Sequence, residues 1–418
     1  MRLLLVNTHS ALNSGDLAIT MAELDVLGSL HPRVITITSR TPAIDRRVLG
    51  PWNPRVLPPL SPAPSVFVGR MATISGCGRN LCQIGAKSAL MREIRRCDLV
   101  IGSGGGYFWS NRRSFPGPMF FQNYLPLHLA QRLGTPVILF PQSFGPAYNG
   151  AVRRMLGSLL SGCQVKKVFA RERLSFDFIR ELLPARIVRE KVELCGDAAF
   201  CLGFARADSA PPARLEPPAP AIAVTVRQWD FPEAKEPAEK ARLQDAYLDS
   251  LARACAAVGR QRGGSVLVFP QARGPGRFED DAAISHRFTE RLAAMAPALP
   301  VRYLPLPDAA TPFDIIQILS QVHLVVATRF HSAILGFLAG VPAVSIAYQP
   351  KGRGIMEEMG LDDLTLDISA VDADRLAGLM IQVLDDREAI AARVRERVGA
   401  MRTQIREKIL SAVRNVVC

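Results

Sequence analysis

Residues 322–360 read VHLVVATRFHSAILGFLAGVPAVSIAYQPKGRGIMEEMG. An apolar run, His323 to Ala327, breaks into Thr328-Arg329-Phe330-His331. A helix rich in small residues is expected from Ser332 to Ala339, then Gly340-Val341-Pro342 and a second apolar run, Ala343 to Ala347. Strands of a parallel sheet are buried on both faces and read as unbroken apolar runs, so this order is a β-loop-α-β unit. Arg329 and His331 fall where the strand ends and the helix begins, at the rim where open α/β sheets bind ligands. A helix N-terminus adds free N–H groups and a positive dipole end. The second strand is expected to deliver Tyr348, Lys351 and Arg353 to the same rim. Several cations and one imidazole around a helix N-terminus point to a small, highly charged anion. The plain alternative is that Arg329 and His331 only cap and solvate a loop.

At 418 residues the chain suits two α/β domains rather than one. Its 48% hydrophobic and 21% charged content is that of a globular protein with ample core. The formal charge of +13 needs an explanation, and a GC-rich genome would supply arginine and alanine equally well without any partner. Nucleic acid is not expected, because the arginines are scattered and no RNP-like strand or DNA-binding motif is present. An anionic membrane surface or an anionic lipid-linked substrate fits better. The apolar run at Leu3 to Val6 ends at Asn7, too short for a signal core, so a cytoplasmic protein is expected, with the inner face of the plasma membrane as a second place of work. The eight cysteines show no CxxC and no histidine at ligand spacing, so no metal site is expected.

In chain order, Arg2 to Val6 is the first strand, and Asp16 opens a helix that runs to Leu30. Arg33 to Ser39 is the second strand. Thr41 to Pro64, with seven prolines, is expected to be irregular. Ser65 to Arg96 alternates apolar residues with arginines and lysines and reads as a basic helix, packed between domains or lying on a membrane. The strand Asp98 to Gly102 runs into Ser103-Gly104-Gly105-Gly106, where backbone can approach a ligand closely. Neither a Walker loop nor a GxGxxG is present, so nucleotide is not implied. Strands are expected at Pro136 to Phe140, Lys167 to Ala170 and Val192 to Cys195.

Phe140-Pro-Gln-Ser-Phe-Gly-Pro146 recurs as Phe269-Pro-Gln-Ala-Arg-Gly-Pro275, and Val168-Phe-Ala-Arg171 resembles Val326-Ala-Thr-Arg329. Similar loops at strand ends suggest two Rossmann-like domains facing one another across a cleft. The boundaries are residues 1–204, a Pro-rich linker at 205–220, a second domain at 221–385, and a C-terminal helix at 386–418. The second domain opens with the strand Ala221 to Val226, which brings Arg227 to the rim. Asp372-Ala373-Asp374 is formally an Asp-x-Asp pair, but it opens a helix and reads as a cap.

The run ATRFHSAILGFLAGVPAVSIAYQPKG resembles the C-terminal motif of the polysaccharide pyruvyl transferase family. Asn13-Ser14-Gly15-Asp16-Leu17-Ala18-Ile19, Gly102-Ser103-Gly104-Gly105-Gly106, Pro141-Gln142-Ser143-Phe144-Gly145-Pro146, Ala170-Arg171-Glu172 and Cys195-Gly196-Asp197 resemble the same family in the same order. The resemblance implies a GT-B-like pair of domains whose terminal helix crosses back to the first. It implies phosphoenolpyruvate as donor substrate, no cofactor, and a lipid-linked or polymeric saccharide of the cell envelope or an exopolysaccharide as acceptor. On that basis His331 is the candidate general acid and Arg227, Arg329 and Lys351 hold the donor. Asn13, Asp16, Gly104, Gly105, Gln142 and Arg171 face the acceptor or line the cleft, from the first domain and on the probable acceptor side. Arginine suits a carboxylate or phosphate through its planar fork, and histidine can deliver a proton near neutral pH.

Two rival functions belong to other classes. A glycosyltransferase of the same architecture would use a nucleotide sugar and usually carries an acid early in the C-terminal motif helix, which Ser332 to Ala339 does not. A non-catalytic envelope-assembly partner would work through its basic surface alone. The combination of Arg329, His331 and Lys351 favours the transferase.

Overall fold

The computed structural model describes residues 1–60, 88–110, 118–203, 215, 217–276 and 279–417. Two parallel sheets carry the fold. The first joins β1 (Arg2–Val6), β2 (Val34–Thr38), β3 (Arg55–Leu57), β4 (Leu99–Gly102), β5 (Gly105–Ser110), β6 (Val137–Ala147), β7 (Val165–Ala170) and β8 (Val192–Leu194). Its order is β3-β2-β1-β4-β6-β7-β8, with β5 paired to β6. The second joins β9 (Ala221–Thr225), β10 (Ser265–Val268), β11 (Val301–Tyr303), β12 (Leu324–Ala327), β13 (Ala343–Ala347) and β14 (Thr365–Asp367). Its order, β11-β10-β9-β12-β13-β14, is the 3-2-1-4-5-6 arrangement of a doubly wound sheet. Both are Rossmann-like. The central strands β9, β10, β12 and β13 are buried at every position, as their unbroken apolar runs require.

The chain forms two compact units. The first comprises Met1–Ser10, Ile19–Leu202 and Thr403–Cys418; the second comprises Ala11–Ala18 and Gly203–Arg402. The end of the loop after β1, from Ala11, and the first turn of the helix Ser14–Gly28 therefore belong to the second unit. The last part of the helix Arg387–Val417 belongs to the first, where Lys408 donates to the Leu194 carbonyl (2.7 Å) and pairs with Glu193 (3.1 Å). Among the described residues no helix is long and apolar enough to cross a membrane.

Three local expectations are corrected. Within Thr41 to Pro64, the helix Pro42–Val48, a 3-10 turn Gly50–Trp52 and β3 replace an irregular excursion. Pro42 occupies the first helical turn, where a missing N–H costs nothing and the fixed φ is already helical. Asp45 then accepts from the hydroxyls of Ser39 and Thr41, tying the turn to the end of β2. Second, β6 does not stop at Pro141 but runs on to Ala147, because β5 pairs with it and Phe108 stacks on Phe144 at 5.5 Å. Third, the repeated words do not mark equivalent strands. Phe140–Pro146 lies within β6, beyond β4, whereas Phe269–Pro275 follows β10, on the other side of β9. The two loops share a conformation nonetheless: Gly145 and Gly274 have positive φ, and each is followed by a cis proline.

Most of the basic segment 65–96 lies outside the described residues, as does most of the segment 205–220. The described end of the former is the helix Ala89–Ile94, capped by Ser88, whose hydroxyl accepts from Met91 N. Its one acid, Glu93, is buried and braces Arg2 (3.2 Å), Arg55 (2.9 Å) and the Thr36 hydroxyl. The helix Ala373–Asp385 begins with Asp372 accepting from Arg375 N, so that acid is indeed a cap.

Ile405, Ile409 and Val413 are fully buried on the C-terminal stretch assigned to the first unit. Ile409→Ala is expected to cost about 2–5 kcal/mol, the range for truncating a buried aliphatic side chain. Hydrogen exchange should show the loss of protection in β7 and β8; unchanged protection there would detach this helix end from the first core.

Candidate active site

The second sheet gathers its polar residues at the carboxyl ends of β9, β10, β12 and β13. Arg329 is the N-cap residue of the helix Phe330–Leu338, and its side chain makes no cap hydrogen bond. His331 follows in the first turn and is buried. A Cβ placed on Gly15 would lie 2.2 Å from His331 Nδ1, so only glycine lets the first turn of the helix Ser14–Gly28 pack against this imidazole. Asn13 forms a bridge with Ala272, and its side-chain oxygen accepts from Gly15 N (3.1 Å). Asp16, half-buried in the first turn, is one of the charges that favour protonated Arg329. Asn13 and Asp16 thus stand in the second unit with His331, not with Gln142 and Arg171. The reason is the excursion of the chain between β1 and its helix.

Arg227 follows β9 and packs its guanidinium over Tyr348 (4.2 Å) and Trp229 (5.2 Å), a cation held by two rings. Gln244 clamps this turn, accepting from Trp229 N (2.8 Å) and donating to the Arg227 carbonyl (3.2 Å). Burial pushes the Arg227 pKa down, with Tyr348 opposing and Arg329 adding to the effect. Arg227 Nε has no hydrogen-bond partner among the described residues.

Arg329 is not the open clamp expected of it. Its fork is spent on Asp281, Nε to Oδ2 at 2.9 Å and Nη2 to Oδ1 at 2.7 Å. Burial works to lower its pKa, but Asp281 outweighs that and the net shift is upward. Asp281 also accepts from Ala272 N (3.0 Å), so the pair ties the loop after β10 to the start of the motif helix. Lys351 lies in the first turn of the helix Pro350–Glu358, not on an extension of β13; its side chain is outside the described residues. Arg353, on the same helix, is exposed. Sequence reasoning missed Asp281, Gln271 and Trp229. The repeated Phe-Pro-Gln word was the only signal for Gln271.

In the first sheet the expected acceptor residues are turned inward. Gln142 is fully buried and donates to the carbonyls of Gly102 (3.2 Å) and Ser103 (2.7 Å). Arg171, 1% exposed, binds Asp197 (3.0 Å), Glu172 (3.3 Å) and the Ser143 hydroxyl. Burial lowers the Arg171 pKa, but those two carboxylates carry it upward. Gly104 N donates to Glu23 Oε1 and Ser103 Oγ to Glu23 Oε2, both at 2.7 Å. A Cβ on Gly104 would meet the Pro141 carbonyl at 2.8 Å, and Gly105, at φ 149°, folds back on Tyr107. These groups form one buried brace that runs from the end of β4 through the middle of β6 to the end of β7. Among the described residues no cluster of three or more His, Cys, Asp or Glu has metal-holding geometry.

A family model for polysaccharide pyruvyl transferase matches residues 13–350. The chain belongs to the polysaccharide pyruvyl transferase family. Among curated relatives, the amylovoran biosynthesis protein AmsJ of Erwinia amylovora is 26% identical over 421 residues, covering 94% of each chain. Among solved structures, Anabaena HepE in complex with UDP and glucose has a TM-score of 0.57 at 13% identity, over 99% of this chain and 100% of that one. The UDP-GlcNAc 2-epimerase of Neisseria meningitidis, bound to UDP-GlcNAc, has a TM-score of 0.60 at 12% identity, over 99% and 100%. At such identities the likeness of a pyruvyl transferase family member to these structures is one of fold.

Two predictions concern the brace in the first unit. Burial pushes Glu23 up to about 8, the hydrogen bonds from Ser103 and Gly104 opposing and Asp197 adding. A carboxyl raised in the folded state binds its proton there first, so its contribution is complete below the unfolded value of 4.5 and lost as pH rises through 8. Wild-type stability should fall by roughly 1.4 kcal/mol per pH unit across that window. Glu23→Gln should flatten the slope, as denaturant midpoints at a series of pH values will show. Arg171→Met strands two buried carboxylates and should cost about 3–5 kcal/mol. A variant of wild-type melting temperature with lost saccharide binding would return Arg171 to the acceptor.

Proposed function

We propose that this family member transfers the enolpyruvyl group of phosphoenolpyruvate onto two hydroxyls of one sugar, in a cell-envelope or exopolysaccharide precursor, and leaves a pyruvate ketal. The observation that carries the reading is the convergence of Arg227, His331 and the helix N-terminus at the carboxyl ends of β9 and β12. Those ends flank the point where the strand order reverses, the place at which open α/β sheets take ligands. A trianionic donor suits a helix N-terminus with a partly desolvated guanidinium beside it. The name of the Erwinia relative, an amylovoran biosynthesis protein, supports a polymeric or lipid-linked saccharide acceptor.

The chemistry balances without an added reductant or oxidant. His331 delivers a proton to the methylene carbon, which becomes the methyl group, and C2 becomes electrophilic. The first sugar oxygen bonds to C2 and gives up its proton. The C2–O bond to phosphate then breaks, its electron pair leaving with inorganic phosphate. The second sugar oxygen closes the ring and loses its proton; of the two protons released, one replaces that of His331 and one leaves on phosphate. Arg227 and Lys351 hold the donor, and Arg329 acts through its pair with Asp281. The work is assigned to the cytoplasm, with the basic surface giving salt-sensitive contact with an anionic membrane.

Phosphoenolpyruvate should raise the melting temperature where UDP-sugars do not. His331→Gln should keep donor affinity within a few fold while turnover falls by about 10²–10⁴, the range for lost general acid–base catalysis. Arg227→Lys should weaken donor binding, since a point charge cannot replace a stacked fork. Tight binding of a nucleotide sugar with none of phosphoenolpyruvate would replace the reading with glycosyl transfer. A folded, fully active His331→Gln would remove His331 from the proton transfer.

A further inference from the structure

Gln271 is the third residue after β10, 1% exposed, in the loop that also supplies Ala272 to Asp281. Its backbone carbonyl accepts from Ser14 N (3.3 Å), at the start of the helix Ser14–Gly28. Its side-chain Oε1 accepts from the hydroxyl of Ser332 (3.0 Å), the third residue of the helix Phe330–Leu338. One residue therefore joins two helix N-termini, whose nearness Gly15 and His331 already show. One helix start meets the Gln271 backbone carbonyl and the other its side chain.

The carboxamide is held by one end only. Ser332 fixes Oε1, and Gln271 Nε2 is buried without a hydrogen-bond partner among the described residues. The Ser14 hydroxyl is buried in the same condition. Buried donors are nearly always satisfied, and leaving one unmade is costly. These two buried polar groups, at the meeting of two helix N-termini, are available to donate to a ligand. Arg227 Nε adds a third unfilled donor in the same unit, beside Arg329 and Tyr348. With the Arg329 fork closed on Asp281, the site relies on neutral donors as much as on charge.

We propose that Gln271 is a substrate-contacting residue of this site, whose Nε2 donates, with the Ser14 hydroxyl, to the phosphate oxygens of the donor. The inference rests on the phosphoenolpyruvate reading above and adds the group that holds the leaving phosphate. A phosphate offers three terminal oxygens, each with room for more than one donor. Neutral donors suit a group that enters as an ester and departs as free phosphate, because they bind both forms without trapping the product as a full ion pair.

The test uses the full chain and calorimetric titration with phosphoenolpyruvate and with inorganic phosphate, alongside melting temperature. Gln271→Glu replaces the donor with an oxygen and is expected to weaken both ligands at least tenfold. Gln271→Asn keeps the amide but withdraws it by one methylene; it should weaken them less and serves if the glutamate variant does not fold. Ser332→Ala releases Oε1 and lets the carboxamide turn, so it should weaken both ligands, but less than Gln271→Glu. Folded Gln271 variants that bind both ligands within twofold of wild type overturn the inference and leave the donor reading intact. Loss of phosphoenolpyruvate binding with inorganic phosphate binding unchanged overturns the phosphate assignment. A wild-type protein that binds neither ligand overturns the inference and the donor reading together.

Discussion

The bidentate pair of Arg329 and Asp281 is the constraint on which the second unit's site depends. It closes between two loops that no backbone ladder connects, the one after β10 and the one after β12. With Asp281 also bound to Ala272 N, the pair sets the position of the Gln271–Arg273 segment. That segment receives the chain from the other side: Ser14 N donates to Gln271 O, and Arg273 N donates to Leu12 O (2.8 Å). The Asn13–Asp16 turn is thereby brought onto His331, and Gly15 is what allows it to come so close. Removing Asp281 would leave a buried guanidinium with its charge uncompensated, which is worse than never having buried it. An arginine that looks from its neighbours like a ligand-binding group is first of all the pin of the site.

The sheets were legible because their strands obey a local rule. A strand buried on both faces is an apolar run, and β9, β12 and β13 show it to within a residue or two. The rim positions of Arg227, Arg329 and His331 follow from the same rule, since a rim is only where such a run stops. What could not be read is which acid meets which arginine. Arg329 and Asp281 are 48 residues apart and Arg171 and Asp197 are 26 apart, with no periodicity to join them. The motif residues Gly104, Gln142 and Arg171 were recognisable as a set, but not that they would bond to one another. Thr41 to Pro64 misled for a related reason: counting prolines ignores that one at the first turn of a helix favours it. The repeated Phe-Pro-Gln word correctly went with two similar folds, yet it sits at different strands in each sheet.

The two sheets solve the same topological problem with opposite chemistry. In each, the first and fourth strands lie side by side and the order reverses between them, as β1 with β4 and β9 with β12. A crevice at that carboxyl edge follows from the connectivity alone. After β12 the chain supplies Arg329, His331 and a helix N-terminus, groups that call for an anion. After β4 it supplies Ser103 and Gly104, whose hydroxyl and N–H could serve an oxyanion equally well, but Glu23 from the helix Ser14–Gly28 already accepts from both. A side chain of the protein itself takes up both donors.

That occupancy has a consequence for how charge is divided. A carboxylate left ionised in so buried a place would repel Asp197, and burial raises Glu23 until it holds its proton at neutral pH. The neutral acid fills the two donors without adding a third negative charge beside Arg171, Glu172 and Asp197. The donors at Ser103 and Gly104 are therefore spent, and this edge has neither of them to offer a trianion. In the second sheet the Arg329–Asp281 pair cancels itself, Asp16 adds a negative charge near Arg329, and Arg227 is held over Tyr348 and Trp229. Two crevices that share a topology thus differ in chemistry: among the described residues the donors after β4 are taken by Glu23, whereas Arg227 Nε, Gln271 Nε2 and the Ser14 hydroxyl have no protein partner.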